Sequence, residues 1–346
     1  MLVAPLNWGL GHATRCIPII NALIKANYEP ILASDGAALI LLQKEFPLLK
    51  SYTLPSYNIK YSKSGKNLKF KLLLSIPSVI AAVKKEHKIV AQIIKKEGIV
   101  GSISDNRFGV YNSNIPAVYI THQLTVLSGK TTGITSKTHQ KIIKNFDECW
   151  VPDVENEPNF SRNLGHLKIN DLNLKYLGIL SRFKSEKCAL KYDLLIVLSG
   201  PEPQRTLLEE KLLLELKNYK GKVLFVRGTL EKKTILEVSK NIQIKNYLLT
   251  ETLEKALNES EIIIARSGYS TIMDLAVLGK KAFFIPTPGQ FEQEYLAQTL
   301  KEKLIAPYSN QNDFSLEKLN EIVNYTGFKK TTSNIDLNHF LLFERK

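Results

Sequence analysis

Two glycine turns, each set between a short apolar run and a helix-length segment, carry the residues best suited to chemistry. The first is Asn7-Trp8-Gly9-Leu10-Gly11-His12-Ala13-Thr14. Glycine lets a backbone approach a ligand closely, and the helix start beyond the turn offers free N–H groups and a partial positive charge. Asn7, Trp8, Gly9 and Gly11 are therefore candidates to line an acceptor. His12 can take the proton of an attacking hydroxyl, since imidazole is neutral near physiological pH, and a general base contributes roughly 10²- to 10⁴-fold. Capping the helix or bonding a loop carbonyl is the plainer role for the same side chain. Asp105, in Ser104-Asp105-Asn106-Arg107, and His122, in Thr121-His122-Gln123, also follow apolar runs and are rival bases. A dinucleotide site competes for this loop, because Asp35 ends the next apolar run where a ribose-binding acid would sit. Trp8 and His12 fill the space that a pyrophosphate needs, and Thr14 stands where the third small residue belongs, so that reading is the weaker one.

The second turn follows Ile262-Ile263-Ile264-Ala265 and reads Arg266-Ser267-Gly268-Tyr269-Ser270-Thr271-Ile272-Met273-Asp274. Backbone N–H groups from Gly268 to Ser270 can hold a diphosphate, and Arg266 can add charge. Asp274 can accept two hydrogen bonds from ribose hydroxyls. The structural alternatives are N-capping by Ser270 or Thr271 and a helix-dipole role for Asp274. Gly279 is expected to end the helix as a C-cap. The next polar loop, Pro286-Thr287-Pro288-Gly289-Gln290-Phe291-Glu292-Gln293-Glu294-Tyr295, presents amides and carboxylates at a helix start, and Gln290, Glu292 and Gln293 suit sugar hydroxyls.

These loops need rigid strands beneath them. Apolar runs at 2–5, 30–34, 100–104, 117–121 and 148–151 read as buried strands, with helices at 14–26 and 71–96 between them. The second half restarts at 193–198 and continues at 222–226, 242–247, 261–265 and 282–286, with helices at 205–218 and 269–278. Alternation of this kind predicts an α/β chain with parallel sheets, whose ligands bind beyond the carboxyl ends of the strands. Periodicity lapses after Pro152, so the expected division is a first domain at 1–165, a linker at 166–183 and a second domain at 184–346. A length of 346 residues fits two domains.

Composition narrows the setting. The formal charge of +14 draws phosphates, nucleic acid or anionic lipid without choosing among them. A nucleic-acid-binding protein would account for the charge, but no recognised module and no aromatic–basic stacking platform accompanies it. Cys16, Cys149 and Cys188 lie far apart, which predicts neither a zinc site nor a disulfide framework. The absence of a basic n-region with an apolar h-region predicts a cytoplasmic protein. Residues 66–96 combine Leu72, Leu73, Leu74, Ile76, Val79 and Ile80 with many lysines, a pattern that serves equally as a core helix with a solvated rim or as a peripheral membrane contact.

In these segments the sequence resembles the GT-B glycosyltransferases related to the peptidoglycan N-acetylglucosaminyltransferases that form lipid II, a glycosyltransferase family 28-like pattern, and more closely an uncharacterised branch of them. The loop ending in Gly11-His12 resembles the family's N-terminal glycine loop. Arg266-Ser267-Gly268 through Asp274 resembles its donor motif, and Gln290-Phe291-Glu292-Gln293 its sugar-reading motif, with Gln293 matching the hexose-contacting glutamine. Gly178-Ile179-Leu180-Ser181-Arg182 and Ser199-Gly200 stand where that family holds the diphosphate. The resemblance implies two Rossmann-like domains facing across a cleft, with an acceptor site in the first and a nucleoside-diphosphate sugar, expected to be UDP-linked, in the second. It implies inverting transfer of a hexosyl or N-acetylhexosaminyl group to a hydroxyl of a glycan or glycolipid. No metal or other cofactor is required, because Arg182, Ser199 and the Ser267 turn take the leaving diphosphate's charge. A nucleotide-sugar epimerase of the same fold is the alternative. Its sugar would be ringed by acids and it would need no acceptor site.

Overall fold

The computed structural model describes residues 1–58, 68–168, 171–229 and 240–344. The chain forms two compact units, one of Met1–Ile59, Leu72–Arg182 and Ser333–Lys346, the other built on Phe183–Thr332.

In the first unit the elements run β1 (Leu2–Pro5), α1 (Gly11–Lys25), β2 (Ile31–Ser34), α2 (Gly36–Glu45), β3 (Ser51–Thr53), α3 (Leu68–Glu97), β4 (Ser102–Asp105), β5 (Ala117–Ile120), α4 (Thr132–Ile143), β6 (Glu148–Val151) and β7 (Leu174–Tyr176). The seven strands lie in the order β3-β2-β1-β4-β5-β6-β7. Every pairing is parallel. All four residues of β1, β2, β4, β5 and β6 are buried, as expected of parallel strands covered on both faces. One sheet face packs Leu2, Ala4, Ile31 and Ala33 against Val90 and Ile93 of α3.

The second unit has β8 (Tyr192–Val197), α5 (Gln204–Glu215), β9 (Val223–Val226), β10 (Ile242–Lys245), α6 (Thr250–Asn258), β11 (Ser260–Ala265), α7 (Tyr269–Leu278), β12 (Lys281–Phe284) and α8 (Phe291–Glu302). Its parallel sheet has the order β10-β9-β8-β11-β12. The core gathers Leu194, Ile196, Phe225, Ile264 and Phe283 with Leu208 and Leu212 of α5. Gly279 is left-handed, with φ +66°, directly after α7, the C-cap its sequence position predicts.

In both sheets the chain reverses its direction of winding beside the unit's first strand, between β1 and β4 and between β8 and β11. Such a switch point opens a crevice at the carboxyl ends of the strands, so the loops after these four strands are placed to meet ligands.

Two parts of the expected division change. The stretch 166–183 is not a free linker, because Leu174–Tyr176 pairs with Cys149–Val151 as an edge strand. Three residues with a central lysine give no apolar run, and the ladder alone makes them a strand. Residues from Ser333 onward group with the first unit. Phe340 and Phe343 there are buried, their rings 6.0 and 6.1 Å from Trp150.

Among the described residues no helix is long and apolar enough to cross a membrane. The Leu72, Leu73, Leu74 and Ile76 side chains on which the membrane expectation rests lie outside the described residues. Ile80 is exposed.

Candidate active site

In the first unit the three rival bases belong to one cluster. β1 ends at Pro5, which is in register with Asp105, the last residue of β4. The glycine loop leads from β1 into α1, Gly9 adopting φ +77° with nothing within 4 Å of where a Cβ would stand. His12, in the first turn of α1, places Nδ1 2.7 Å from Asp105 Oδ1. One turn on, Arg15 grips the same carboxylate with both edges of its fork: Nε donates to Oδ2 at 2.7 Å and Nη2 to Oδ1 at 2.5 Å. Arg15 Nη1 reaches His122 Nδ1, in the loop after β5, at 3.0 Å. Asn106 Nδ2 adds a further donor to Asp105 Oδ1 at 3.0 Å.

Exposure separates these groups. The His12 side chain is 17% exposed, whereas Asp105 is 0% and Arg15 1%. Burial alone would raise the Asp105 carboxyl, but Arg15 and His12 outweigh it and hold the group well below the usual carboxylate range. Burial and the Asp105 charge keep the neighbouring Cys16 a thiol. A carboxylate fixed in this way orients a histidine and fixes its tautomer.

Arg15 is the residue that sequence reading missed. A helix face of Ala13, Cys16, Ile17, Ile20 and Leu23 faces the core, and a buried arginine among them is the signal that was available. Asp35, the acid of the dinucleotide reading, is taken by another buried network. Arg107 Nη1 donates to Asp35 Oδ1 at 2.7 Å and Arg107 Nε to Glu86 Oε1 at 2.5 Å. Asn7 Nδ2 also bonds Asp35, and Asn7 Oδ1 accepts from Ala38 N at 3.3 Å. Asn7, expected beside an acceptor, thus ties the glycine loop to the start of α2. Trp8 is half-buried in that loop and Gly11 opens α1. Arg182 lies 3.5 Å from Glu45, the last residue of α2.

In the second unit the expected donor residues fall in loops after adjacent strands β8, β11 and β12. Ser199 and Gly200 follow β8. Gly200 has φ +101°, and a Cβ there would have, among the described residues, only Thr287 Oγ1 within 4 Å, at 3.7 Å. Gly268 is the N-cap of α7, which carries no acidic residue in its first turn, and a helix N-terminus is positive. Ser270, Thr271 and Asp274, on the first turns of α7, are half-buried, as are Gln290 and Glu292 at the head of α8.

One bond joins the loops after β11 and β12, and two more fix the loop after β12 to the head of α8. Ser267 Oγ donates to the Gln293 carbonyl at 2.8 Å, Thr287 N donates to Gln293 Oε1 at 2.8 Å, and Gly289 N donates to Glu294 Oε1 at 3.0 Å. Thr287 is fully buried, and its hydroxyl has no hydrogen-bond partner among the described residues.

Arg266 corrects one expectation. It is 1% exposed, and its two terminal nitrogens donate to the carbonyls of Ile285, Pro286 and Gln204 and to Gln311 Oε1, at 2.7 to 3.0 Å. Three carbonyls at chain turns need donors once buried, and the guanidinium supplies them. Burial lowers its pKa to about 9. Arg266 therefore ties the loops together from beneath. Sequence reading also missed the Arg205–Glu209–Arg227 network behind the β8 and β9 loops, with contacts of 2.6 and 2.7 Å.

The comparisons with known proteins bear on both units. Residues 198–335 match the glycosyltransferase family 28 C-terminal domain. A UDP-N-acetylglucosamine--N-acetylmuramyl-(pentapeptide) pyrophosphoryl-undecaprenol N-acetylglucosamine transferase of Haemophilus ducreyi is 26% identical over 90% of this chain and 86% of its own. An uncharacterized glycosyltransferase of Methanosarcina mazei is 24% identical over 91% and 87%. Among solved structures, the spinosyn forosaminyltransferase superposes with a TM-score of 0.61 at 13% identity, covering 93% of this chain and 89% of its own. The Acinetobacter baumannii MurG structure gives a TM-score of 0.53 at 16% identity with the same coverage. The chain is thus a glycosyltransferase of the GT-B fold, related to the lipid II-forming N-acetylglucosaminyltransferases through a family 28 C-terminal domain.

Proposed function

We propose that the protein transfers a hexosyl group, with inversion and without a metal, from a UDP-linked sugar to a hydroxyl of a glycan or lipid-linked glycan. The hexosyl group is read as N-acetylhexosaminyl from the donor named for the Haemophilus ducreyi relative. The observation that carries the reading is the 2.7 Å contact of His12 with buried Asp105 at the switch point of the first sheet. With Nδ1–H held by the carboxylate, Nε2 keeps the lone pair that takes the acceptor's proton as its oxygen attacks the anomeric carbon. The anomeric carbon–oxygen bond to the diphosphate breaks, and the bond to the acceptor forms on the opposite face of the ring. Asp105 steadies the imidazolium that results.

The second unit takes the donor. The N-terminus of α7 and the open backbone at Gly200 accept the diphosphate, whose charge grows as it leaves. Thr287, buried and unsatisfied beside Gly200, offers its hydroxyl to the same group. Asp274 is assigned to the ribose, and Gln290, Glu292 and the Gln293 amide to the sugar. Ser199 adds to the diphosphate site. The acceptor's lipid anchor, as in the name of the Haemophilus ducreyi relative, would place the enzyme in the cytoplasm at the inner face of the membrane.

Calorimetric titration with UDP, other nucleoside diphosphates, NAD and a short oligonucleotide, with no added metal and at two salt concentrations, tests the reading. Saturable, selective binding of UDP is expected. Binding of NAD alone, or salt-sensitive binding of the oligonucleotide alone, would overturn it.

A further inference from the structure

Asp105 Oδ1 lies 2.7 Å from His12 Nδ1. An anionic oxygen that close to a bare nitrogen lone pair would be repelled, so Nδ1 carries the proton. Arg15 Nη2 also comes within 3.1 Å of that nitrogen, but it donates to the anionic Asp105 Oδ1 at 2.5 Å, so the carboxylate that Arg15 holds, and not the guanidinium itself, decides the His12 tautomer. At His122 the sense is reversed. A guanidinium has donors only. Its Nη1, 3.0 Å from His122 Nδ1, therefore meets a lone pair there, and the His122 proton is on Nε2. Protonating His122 on both nitrogens would set N–H against N–H and one cation against another.

We infer that Arg15 is a positioning residue that gives the two histidines opposite tautomers: held by both edges on Asp105, one guanidinium keeps His12, through that carboxylate, with its proton on Nδ1 and His122 with its proton on Nε2. The consequence, which rests on the proposed function, is that His12 is the base and His122 is withdrawn from that role. The arrangement needs a planar fork with donors in fixed directions. A lysine ammonium, a point charge on a flexible stem, cannot serve Asp105 on both edges and His122 at once. The charged and polar groups facing this centre include Asp105 and Asn106 at the end of β4, His122 from the loop after β5, and Cys16 from α1 itself.

Long-range proton–nitrogen correlation spectra of the protein labelled with ¹⁵N-histidine read the tautomers directly at neutral pH. The six histidines are few enough to assign by single substitution, His12→Gln and His122→Gln. The expected pattern is one ring protonated on Nδ1 and lost in His12→Gln, and another protonated on Nε2 and lost in His122→Gln. In Arg15→Met, His122 should lose its single tautomer and its two nitrogen shifts should converge. Arg15→Lys should fail to restore the opposite pair.

A His122 that carries Nδ1–H or both protons in the unaltered protein would overturn the inference. So would an Arg15→Met spectrum identical to that of the parent. If Arg15→Met does not fold, the spectrum of the unaltered protein decides. Titrating the same sample with UDP separates the two claims. Opposite tautomers without UDP binding would uphold Arg15 and sink the donor reading, whereas UDP binding with matching tautomers would do the reverse.

Discussion

Gln293 Oε1 accepts the Thr287 backbone proton at 2.8 Å, while the Gln293 carbonyl accepts the Ser267 hydroxyl proton at the same distance. The glutamine proposed to read the sugar is thus also the brace between the loops after β11 and β12, and its amide N–H groups are what remain to meet a ligand. Replacing it separates the two duties. Gln293→Leu leaves the buried Thr287 N–H unpaired, at a cost of about 1–3 kcal/mol, and should lower both the melting temperature and UDP affinity. Gln293→Glu keeps the acceptor and loses the donors, so it should bind UDP like the parent protein and lose affinity only for the sugar nucleotide. Paired melts and calorimetry check this, and equal losses for UDP and UDP-sugar in the glutamate variant would remove Gln293 from the sugar site.

For the His12–Asp105 pair, His12→Ala is expected to cut turnover by roughly 10²- to 10⁴-fold with donor affinity preserved. Near-normal turnover would end its role as base. Asp105→Asn should lower turnover as well, and unlike His12→Ala it should destabilise the fold by about 3–5 kcal/mol, because Arg15 is left as a buried cation without its counter-ion. Asp105 is held below its ordinary value of 3.8. It therefore contributes stability above that value, and the contribution is lost as pH falls through the lowered one. Denaturant midpoints for both variants decide, with equal stability of the two as the contrary result.

How much of this was legible in the residues follows from how local each feature is. β1, β5 and β6 are short, largely apolar runs, and the bounds read from them fall within a residue of those of the strands. β3 and β7 could not be, since Ser51–Thr53 and Leu174–Tyr176 are strands only by virtue of ladders to distant partners. The same limit applied to the site. His12, Asp105 and His122 stood out individually as rival bases, but 93 residues separate the first two and nothing local says that they touch. Arg15 and Arg266 went unrecognised for what they are because an arginine's ordinary place is the surface, and only the fold shows which carbonyls and carboxylates it was buried to satisfy.

Asp274 gives the donor site its own test. It sits on the second turn of α7, half-buried. Asp274→Ala should weaken UDP binding by about 10-fold, the loss of one charge-assisted hydrogen-bonding group worth about 1.5 kcal/mol, and leave the melting temperature of the free protein within a few degrees. Calorimetry with UDP and with uracil checks the assignment. If the ribose is the contact, only the ligand that carries it loses affinity, and unchanged UDP binding would place Asp274 outside the site.

His139 supplies a pH-dependent prediction that is independent of any ligand. It is buried in α4, with Nδ1 3.0 Å from the Gln123 carbonyl and Nε2 2.9 Å from the Tyr119 hydroxyl. The carbonyl fixes the proton on Nδ1, so neutral His139 accepts from Tyr119, and burial lowers its pKa from 6.5 to about 4. A histidine depressed in the folded state is neutral there while the unfolded chain takes up a proton. Stability must therefore rise with pH between about 4 and 6.5, by up to about 1.4 kcal/mol per pH unit from this one group. His139→Gln, which can still donate to the carbonyl and accept from the tyrosine, should flatten the curve of unfolding free energy over that interval and leave the slope above pH 7 unchanged. Chemical denaturation at half-unit pH steps measures it. An unchanged acid slope would mean that His139 takes its proton in the folded protein as readily as in the unfolded chain, with Tyr119 turned to donate elsewhere, and Asn106 Oδ1, 3.1 Å from that hydroxyl, is the acceptor placed to receive it.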